Sequence, residues 1–408
     1  MSDQKPMLSV RQALDFLLAA VRPITDVESV ETLAANGRVL AVAQTSQLNV
    51  PPADNTQMDG YAVRAADASA AGTRLKVIGE VAAGRPFETT VGAGEAVRIF
   101  TGGVIPEGAD AVVIQEDTVA DGGHVITTEA ARPGRHIRPA GIDFREDDVL
   151  LAAGIRLTDR DLSLAAGMNY PQLPVRRRPR VALLATGDEL VMPGNIPGPG
   201  QIVYSNGYAL RALARHEGAE VIDLGIAADT LAATVQGIRR AREAGADILV
   251  TTGGASVGDH DLVKRSLEAE GVAMAFWKIA MRPGKPMMHG RLGPMRVIGL
   301  PGNPVSSYVC AFLFLVPLIR ALSGRSAVHH PRGTALLGRE VGANDMREDY
   351  LRARLERRSD GALIAIPVDH QDSSLLGNLA AARALVIRPP FAPKALAGSA
   401  CDILRLPA

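Results

Sequence analysis

Ile248-Leu249-Val250-Thr251-Thr252-Gly253-Gly254-Ala255-Ser256-Val257-Gly258-Asp259-His260-Asp261 reads as a short apolar strand running into a glycine-rich turn. Gly253 and Gly258 have the G-x-x-x-x-G spacing of a phosphate loop, but Asp259-His260 stand where the nucleotide-binding form needs Lys followed by Ser or Thr. The Walker reading therefore fails. Backbone amides of such a turn still face an anion, while Asp259 and Asp261 offer oxygen to a hard cation. The competing reading is that Asp261 caps a helix opening at Leu262, a position that aspartate suits.

Outward from this turn the rhythm is strand, helix, strand. Arg180 to Ala185 reads as a strand, Ser205 to Glu217 as a helix closed by Gly218, Glu220 to Ile226 as a strand, and Asp229 as the cap of a helix carrying Leu231, Val235 and Ile238 on one face. Alternation of this kind implies right-handed crossovers and a mostly parallel sheet, whose ligands sit beyond the carboxyl ends of the strands. Three chemically loaded loops fall at such ends: Thr186-Gly187-Asp188-Glu189, the Gly253 turn and Leu300-Pro301-Gly302-Asn303-Pro304.

Before this α/β segment, Gln47 to Pro174 is a β-rich module of short branched runs broken by Gly and Pro: Leu75 to Ile78, Ala96 to Phe100 and Ala111 to Gln115. Ahead of it, Ser9 and Gln12 make a capping box for an amphipathic helix with Val10, Ala13, Leu14, Leu17, Leu18 and Val21 at helical spacing, and a second helix is expected over Val30 to Ala35. Val175-Arg176-Arg177-Arg178-Pro179 marks a boundary and reads as a solvated linker rather than a nucleic-acid patch. After Gly324 the chain turns β-like again, with Leu351 to Leu355, Ala362 to Val368, Ala384 to Ile387 and Asp402 to Leu406.

Composition bounds the function classes. The 408 residues carry 44 basic and 44 acidic side chains, which argues against a global basic footprint on nucleic acid or acidic lipid. The chain is long for one core, so several domains are expected. Two cysteines, Cys310 and Cys401, are too few for a disulfide framework or a thiolate metal site. The apolar run Val309 to Ile319 is shorter than the ~18 residues of a membrane span and reads as a buried helix. With no apolar region behind the first residues, a cytoplasmic setting is expected. The eight histidines show no zinc spacing, and no Ser-His-Asp arrangement is apparent.

The candidate residues are carboxylates and positioned cations. Glu189 and Asp261, on neighbouring strand-end loops, suit a cation such as Mg²⁺, which takes one or two carboxylates and keeps its waters. Lys278, Arg282 and Lys285 flank a loop, Met281-Arg282-Pro283-Gly284-Lys285-Pro286, that two prolines and a glycine stiffen. The plain alternative is a basic surface turn. Asp59 in Met58-Asp59-Gly60-Tyr61-Ala62-Val63-Arg64 reads by default as a turn residue.

Taken together and in order, Met58 to Arg64, Ala185-Thr186-Gly187-Asp188-Glu189-Leu190, Gly253 to Asp261, Met281 to Pro286 and Leu300 to Ser306 resemble the MoeA family of molybdopterin molybdenumtransferases, relatives of the gephyrin E-domain and its plant counterpart. The resemblance implies Mg²⁺-dependent insertion of molybdenum from molybdate into adenylylated molybdopterin, releasing AMP and the finished cofactor. It implies a homodimer with active sites shared between subunits, and transient contact with the molybdopterin adenylyltransferase and with cofactor-accepting enzymes. The fold implied is a MogA-like three-layer α/β domain with a mostly parallel sheet, a β-rich N-terminal module and a small C-terminal β-domain. The expected boundaries are 1–48 with 145–176 for an elongated helical and β domain, 49–144 for the β-rich domain, 177–326 for the α/β domain and 327–408 for a barrel-like domain.

By the same resemblance Asp59, Thr101, Asp143, Glu189, Asp229, Asp259 and Asp261 line the magnesium and substrate-phosphate region, with Glu189, Asp259 and Asp261 as metal ligands. Ser256, Arg282, Lys285 and Arg352 lie near molybdate, and Lys278 lies on substrate. Pro301 and Pro304 stiffen the cleft. Two positions depart from the pattern: Arg282 stands where relatives often carry Lys, and Asn378 aligns with an expected small hydroxyl. Three other readings compete. An adenylyltransferase shares the MogA-like domain but lacks the flanking modules, a scaffold would need a long linker, and a nucleotide hydrolase would need the Walker Lys.

Overall fold

The computed structural model describes residues 7–253 and 262–407. Ser256, Asp259 and Asp261, expected at the site, lie outside the described residues. The central sheet runs, edge to edge, Glu220–Ala227, Arg180–Thr186, Ile248–Thr252, Met295–Leu300, Pro286–Leu292, Ala273–Lys278. The first four strands are parallel, Pro286–Leu292 runs against them, and Ala273–Lys278 runs against Pro286–Leu292. The Arg180 strand lies between its two successors, so the chain winds outward in both directions and leaves its crevice between Thr186 and Thr252. Parallel strands covered on both faces read as unbroken apolar runs, and every residue of Ile248–Thr252 is buried.

One face packs Val181, Leu183, Ile248 and Val250 against a helical run through Pro304–Cys310, Ala311–Leu315 and Val316–Leu322. The other packs Ala182, Leu184 and Leu249 against Leu231–Glu243 and Leu262–Ala269. That makes three layers. The Pro304 run is long and apolar enough to cross a bilayer, yet most of it is buried in this core, as a helix apolar all round should be. Its middle turn is a π segment that frees the Phe312 carbonyl, which accepts from His330 Nε2 at 2.6 Å while the two rings stack at 3.8 Å. Helix Val10–Leu18 carries the expected capping box and adds Val10, Ala13 and Leu17 to the same cluster.

The β-rich module forms a six-stranded sheet that includes Gly60–Val63, Arg74–Val81, Glu95–Ile99 and Ala111–Ile114. Past the helices, Glu348–Arg357, Leu363–Pro367, Arg332–Leu337, Ala400–Arg405 and Ala384–Arg388 pair in sequence, and the last returns to the first, closing a ring of strands. Met281–Arg282 joins this ring in parallel register, Arg282 opposite Asp349, and so ties the Pro-Gly loop to the C-terminal domain.

Three local expectations are corrected. Val30 to Ala35 is not a helix. Val27–Glu31 is a strand paired with Gln172–Arg176, and only Thr32–Ala35 turns, as a 3₁₀ segment in which Thr32 Oγ1 donates to the Tyr170 carbonyl at 2.6 Å. Long-range pairing overrides the local pattern there. Nor are the three arginines a solvated linker: Arg176 ends a strand and donates to the Ile24 carbonyl at 2.6 Å, while Arg177 grips both Asp247 oxygens at 3.0 Å. Asp229 does not cap its helix. Thr230 does, its hydroxyl accepting from the Ala233 amide at 3.2 Å.

Candidate functional site

The carboxyl ends of three neighbouring parallel strands deliver Thr186, Thr252 and Leu300 to one rim, and the loops that follow enclose a cleft of about 760 Å³. Gly253 is required at its floor. Its φ is +92°, and a Cβ there would lie 2.3 Å from the Thr186 carbonyl oxygen, so the two loops touch only because no side chain intervenes. Gly302 approaches the Gly253 Cα from the third strand end. Asn206, opening the helix Asn206–His216, donates from Nδ2 to the Gly302 carbonyl at 2.7 Å and holds the Pro301 loop in place.

The acidic side of the cleft comes from the loop after the Arg180 strand. Asp188 and Asp229 brace two loops reciprocally: the Asp229 amide donates to Asp188 Oδ1 at 3.0 Å and the Asp188 amide to Asp229 Oδ2 at 3.3 Å. That locks the backbone beside Glu189, whose exposed carboxylate lines the cleft with no hydrogen bond or ion pair among the described residues. Asp229 is thus a loop brace, placed one strand away from the cleft wall.

The opposite wall comes from the C-terminal domain. Asn303 Nδ2 donates to Ser373 Oγ at 3.0 Å and the Val305 amide to the Ser373 carbonyl at 3.0 Å, which fastens 372–374 to the start of the Pro304 helix. Ser374 and Leu376 line the cleft. Asp372 Oδ1 accepts from the Ser374 hydroxyl at 2.6 Å and amide at 2.8 Å, which holds its carboxyl below the usual range. Behind this turn Arg352 is buried, donating from Nη2 to the Asp372 carbonyl at 2.9 Å; burial lowers its pKa to about 10. Its Nε has no partner among the described residues. Asn378 Nδ2 donates to the His370 carbonyl at 2.8 Å. Ser374, four residues earlier, brings a hydroxyl to the cleft lining.

The basic loop sits nearby: Pro286 lines the cleft, and Lys278 and Lys285 are exposed with no ion pair among the described residues. Arg282 is engaged. Its Nη2 bonds Asp345 and its Nε lies 3.5 Å from Asp349 Oδ1, while Arg347 Nη2 also pairs with Asp345 at 2.8 Å. The hydrogen bonds from Arg347 and the charge of Arg282 hold Asp345 down at about 2.

Asp59, Thr101 and Asp143 do not line this cleft. Asp59 ends the turn before the strand Gly60–Val63 and accepts on Oδ1 from the Thr101 hydroxyl at 2.6 Å and amide at 2.7 Å, so its carboxyl lies below its ordinary value. Gly60 is obligatory beside it, since a Cβ would meet the Val113 carbonyl at 2.1 Å. Arg98 covers the same patch, its guanidinium 5.0 Å from the ring centres of Tyr61 and of Phe100. Of the expected residues, Glu189, Pro301 and Pro304 line one cavity, while Asp59 and Thr101 form a second constellation in the β-rich module. Tyr204, Asn206 and Ser374 were not expected at the cleft. Only the Asp372-Ser373-Ser374 turn chemistry could have signalled one of them.

A parallel sheet with a cleft at its switch point, preceded by a β-rich module and followed by a closed β-domain, defines a multidomain α/β architecture. Family models described as MoeA N-terminal region (domain I and II), probable molybdopterin binding domain and MoeA C-terminal region (domain IV) match residues 8–168, 182–321 and 334–406. The chain is 36% identical to the molybdopterin molybdenumtransferase of a Nostoc species over 98% of this chain and 94% of that one. Against the enzyme of the same name from Haemophilus influenzae it is 39% identical over 80% of each. The crystal structure of a molybdopterin biosynthesis MoeA protein from Pyrococcus horikoshii superposes with a TM-score of 0.84 at 31% identity, covering 99% of this chain and 100% of that one. The chain belongs to the MoeA family of molybdopterin molybdenumtransferases, transferases of molybdenum cofactor biosynthesis.

Proposed function

We propose that the chain inserts molybdenum from molybdate into adenylylated molybdopterin with the help of Mg²⁺, releasing AMP and the molybdenum cofactor. The observation that carries the reading is the convergence of three strand-end loops on a cleft of about 760 Å³ with the unpartnered Glu189 carboxylate on its wall. The donor set suits a hard cation: the lining offers carboxylate, hydroxyl and amide oxygen, and neither Cys nor His is among its described residues. Glu189, together with Asp259 and Asp261, would hold Mg²⁺, which when bound offsets charge on a phosphoanhydride.

In this reading Lys278 and Lys285 supply positive charge to the substrate, and Arg282 presents a planar fork to molybdate once it leaves Asp345. Arg352 stiffens the 372–374 turn behind the molybdate region, to which Ser256 and Asn378 would contribute. Pro301 holds its loop open. Asp229 keeps the Glu189 loop in place through Asp188. A cytoplasmic setting and transient contact with the adenylyltransferase and with cofactor-accepting enzymes belong to the same proposal.

The second constellation supports a homodimer. Asp59, Thr101 and Asp143 do not line this chain's own cleft, so a second copy would deliver them. Mixing Asp59→Ala with Glu189→Gln chains should then restore part of the activity through hybrid sites. A dead mixture, with subunit exchange shown independently, argues for sites made within one chain. The function itself is tested by mass analysis of pterin and AMP after mixing the protein with adenylylated molybdopterin, Mg²⁺ and molybdate. AMP without molybdenum-loaded pterin would point to a hydrolase instead.

A further inference from the structure

A second cleft, of about 640 Å³, lies where the N-terminal module meets the α/β domain. It is lined by Gly37 and Arg156 to Asp159 from the first and by Arg178, Arg215 and Gly218 from the second. Pro179 and Ala219 immediately precede the strands starting at Arg180 and Glu220, so this cleft is at the amino end of the sheet. The catalytic cleft is at the other end, about 20 Å away along a seven-residue strand.

Its walls carry three guanidiniums, and none of them meets a carboxylate among the described residues. Arg156 donates from Nε to the Gly37 carbonyl at 3.3 Å and from Nη2 to the His216 carbonyl at 2.5 Å. Arg178 Nη1 reaches the Gly218 carbonyl at 3.4 Å. Arg215 makes no side-chain hydrogen bond or ion pair among the described residues.

The acids nearby are already taken. Glu28 pairs with Arg38, Glu220 with Arg180 at 3.3 Å, and Glu217 with Arg320 at 2.7 Å and Arg325 at 2.6 Å. Asp159, the one carboxylate on the lining, faces water beside Arg160 at 3.7 Å. The plain account is that these arginines cap the C-terminus of helix Asn206–His216. A helix terminus supplies only about half a negative charge, which leaves three cations under-compensated. Burial first, and then repulsion from Arg38 and Arg156, outweighs the pull of Glu28 and Glu220 and holds Arg178 below its ordinary value.

We propose that this cleft is a binding site for a polyphosphate group, either as inorganic triphosphate or as the phosphate tail of a nucleotide, bridging the two domains through Arg156, Arg178 and Arg215. Forked guanidiniums from two domains match the several oxygens of a phosphate chain, which offers more acceptors along its length than one tetrahedral anion. The test is calorimetric titration of the full-length protein with tripolyphosphate, and separately with ATP, against sulfate at equal ionic strength.

One equivalent of tripolyphosphate should bind, and Arg215→Ala, which removes an exposed side chain with no internal bonds, should weaken it about tenfold or more. Arg215→Glu should abolish it, and Lys285→Ala beside the catalytic cleft should leave it unchanged. Equal affinity for ATP and tripolyphosphate would mean that only phosphates are read, and tighter ATP binding that the nucleoside adds contacts. Either result supports the site. Binding that survives in Arg215→Ala, that is lost in Lys285→Ala, or that sulfate reproduces would overturn it. None of these readouts involves turnover, so the result stands apart from the proposed reaction.

Discussion

Glu217 and Glu189 are carboxylates at opposite ends of the same sheet, and they differ in everything but chemistry. Glu217 is buried, receiving Arg320 Nε at 2.9 Å, Arg320 Nη2 at 2.7 Å and Arg325 Nη1 at 2.6 Å. It ties the end of helix Asn206–His216 to the end of the Pro304 run. Glu189 is exposed, held by a braced backbone but by no side chain among the described residues. The difference separates two uses of charge. A charge whose valence is filled inside the protein holds the fold together, and one whose backbone alone is fixed is left for a ligand.

The largest effect should come from the filled site. Glu217→Ala leaves two largely buried guanidiniums unpaired, and breaking such a network costs about 3–5 kcal/mol. Denaturant unfolding should show this as a lower midpoint at unchanged slope. A loss under about 1 kcal/mol would mean that water satisfies these arginines, and the contrast with Glu189 would collapse.

Glu189→Gln should behave in the opposite way. It removes no internal bond, so stability should move by less than about 0.5 kcal/mol. Loss of a group that stabilises transition-state charge costs roughly 10²–10³ in turnover. Product formation at limiting Mg²⁺ and a melting curve, measured on one preparation, check both halves. Normal turnover would remove Glu189 from the site.

How much of this was legible in sequence follows the same division. The parallel sheet was readable because its strands are unbroken apolar runs that end in Gly and Asp turns. Glu189 was readable because it follows such a turn directly. Strand Val27–Glu31 was not, since its partner lies at Gln172–Arg176 and nothing local announces the pairing. The arginines at 176–178 looked like a linker because their acceptors, Asp247 and the Ile24 and Gly218 carbonyls, are far away in the chain. Ser374 reaches the cleft only because Asn303 and Val305 fasten its turn from another domain.

Acid should act first through two largely buried histidines. Burial drives His330 and His289 down to about 4, against about 6.5 for an exposed histidine. The unfolded chain therefore binds protons between those values that the native state refuses, so stability present above pH 6.5 is lost as pH falls towards 4. For His330 alone the shift is worth roughly 3 kcal/mol. Below about pH 4.5 Glu217 adds to the loss: burial pushes its carboxyl up, but the bond and charge of Arg320, with Arg325 and Arg156, pull it further down. Its contribution disappears as pH falls through that lowered value. Unfolding free energies from pH 7 to 4 should show the slope, and His330→Phe should flatten it. An unchanged slope in that variant would place the proton uptake elsewhere.

Arg282 lies between the two classes, and it offers the smallest and sharpest test. Its guanidinium is paired with Asp345 and lies near Asp349, as a structural charge would be, yet it is exposed on the stiff loop beside the cleft, as a ligand-binding charge would be. If the pair is a resting contact, an oxyanion must compete with Asp345 for the same fork. Asp345→Asn keeps the shape and removes the competing charge, so the apparent affinity for molybdate should improve, by up to about fivefold as expected for an exposed pair. Arg347 also loses its partner in this variant, so Arg347→Gln is the control: it frees no competitor and should leave molybdate dependence alone. Arg282→Lys should keep part of the function, because a point charge can meet an oxyanion but not through two parallel bonds. Weaker molybdate binding in Asp345→Asn would show that Asp345 aims the fork and does not mask it, which would move Arg282 to the same side of the comparison as Glu217.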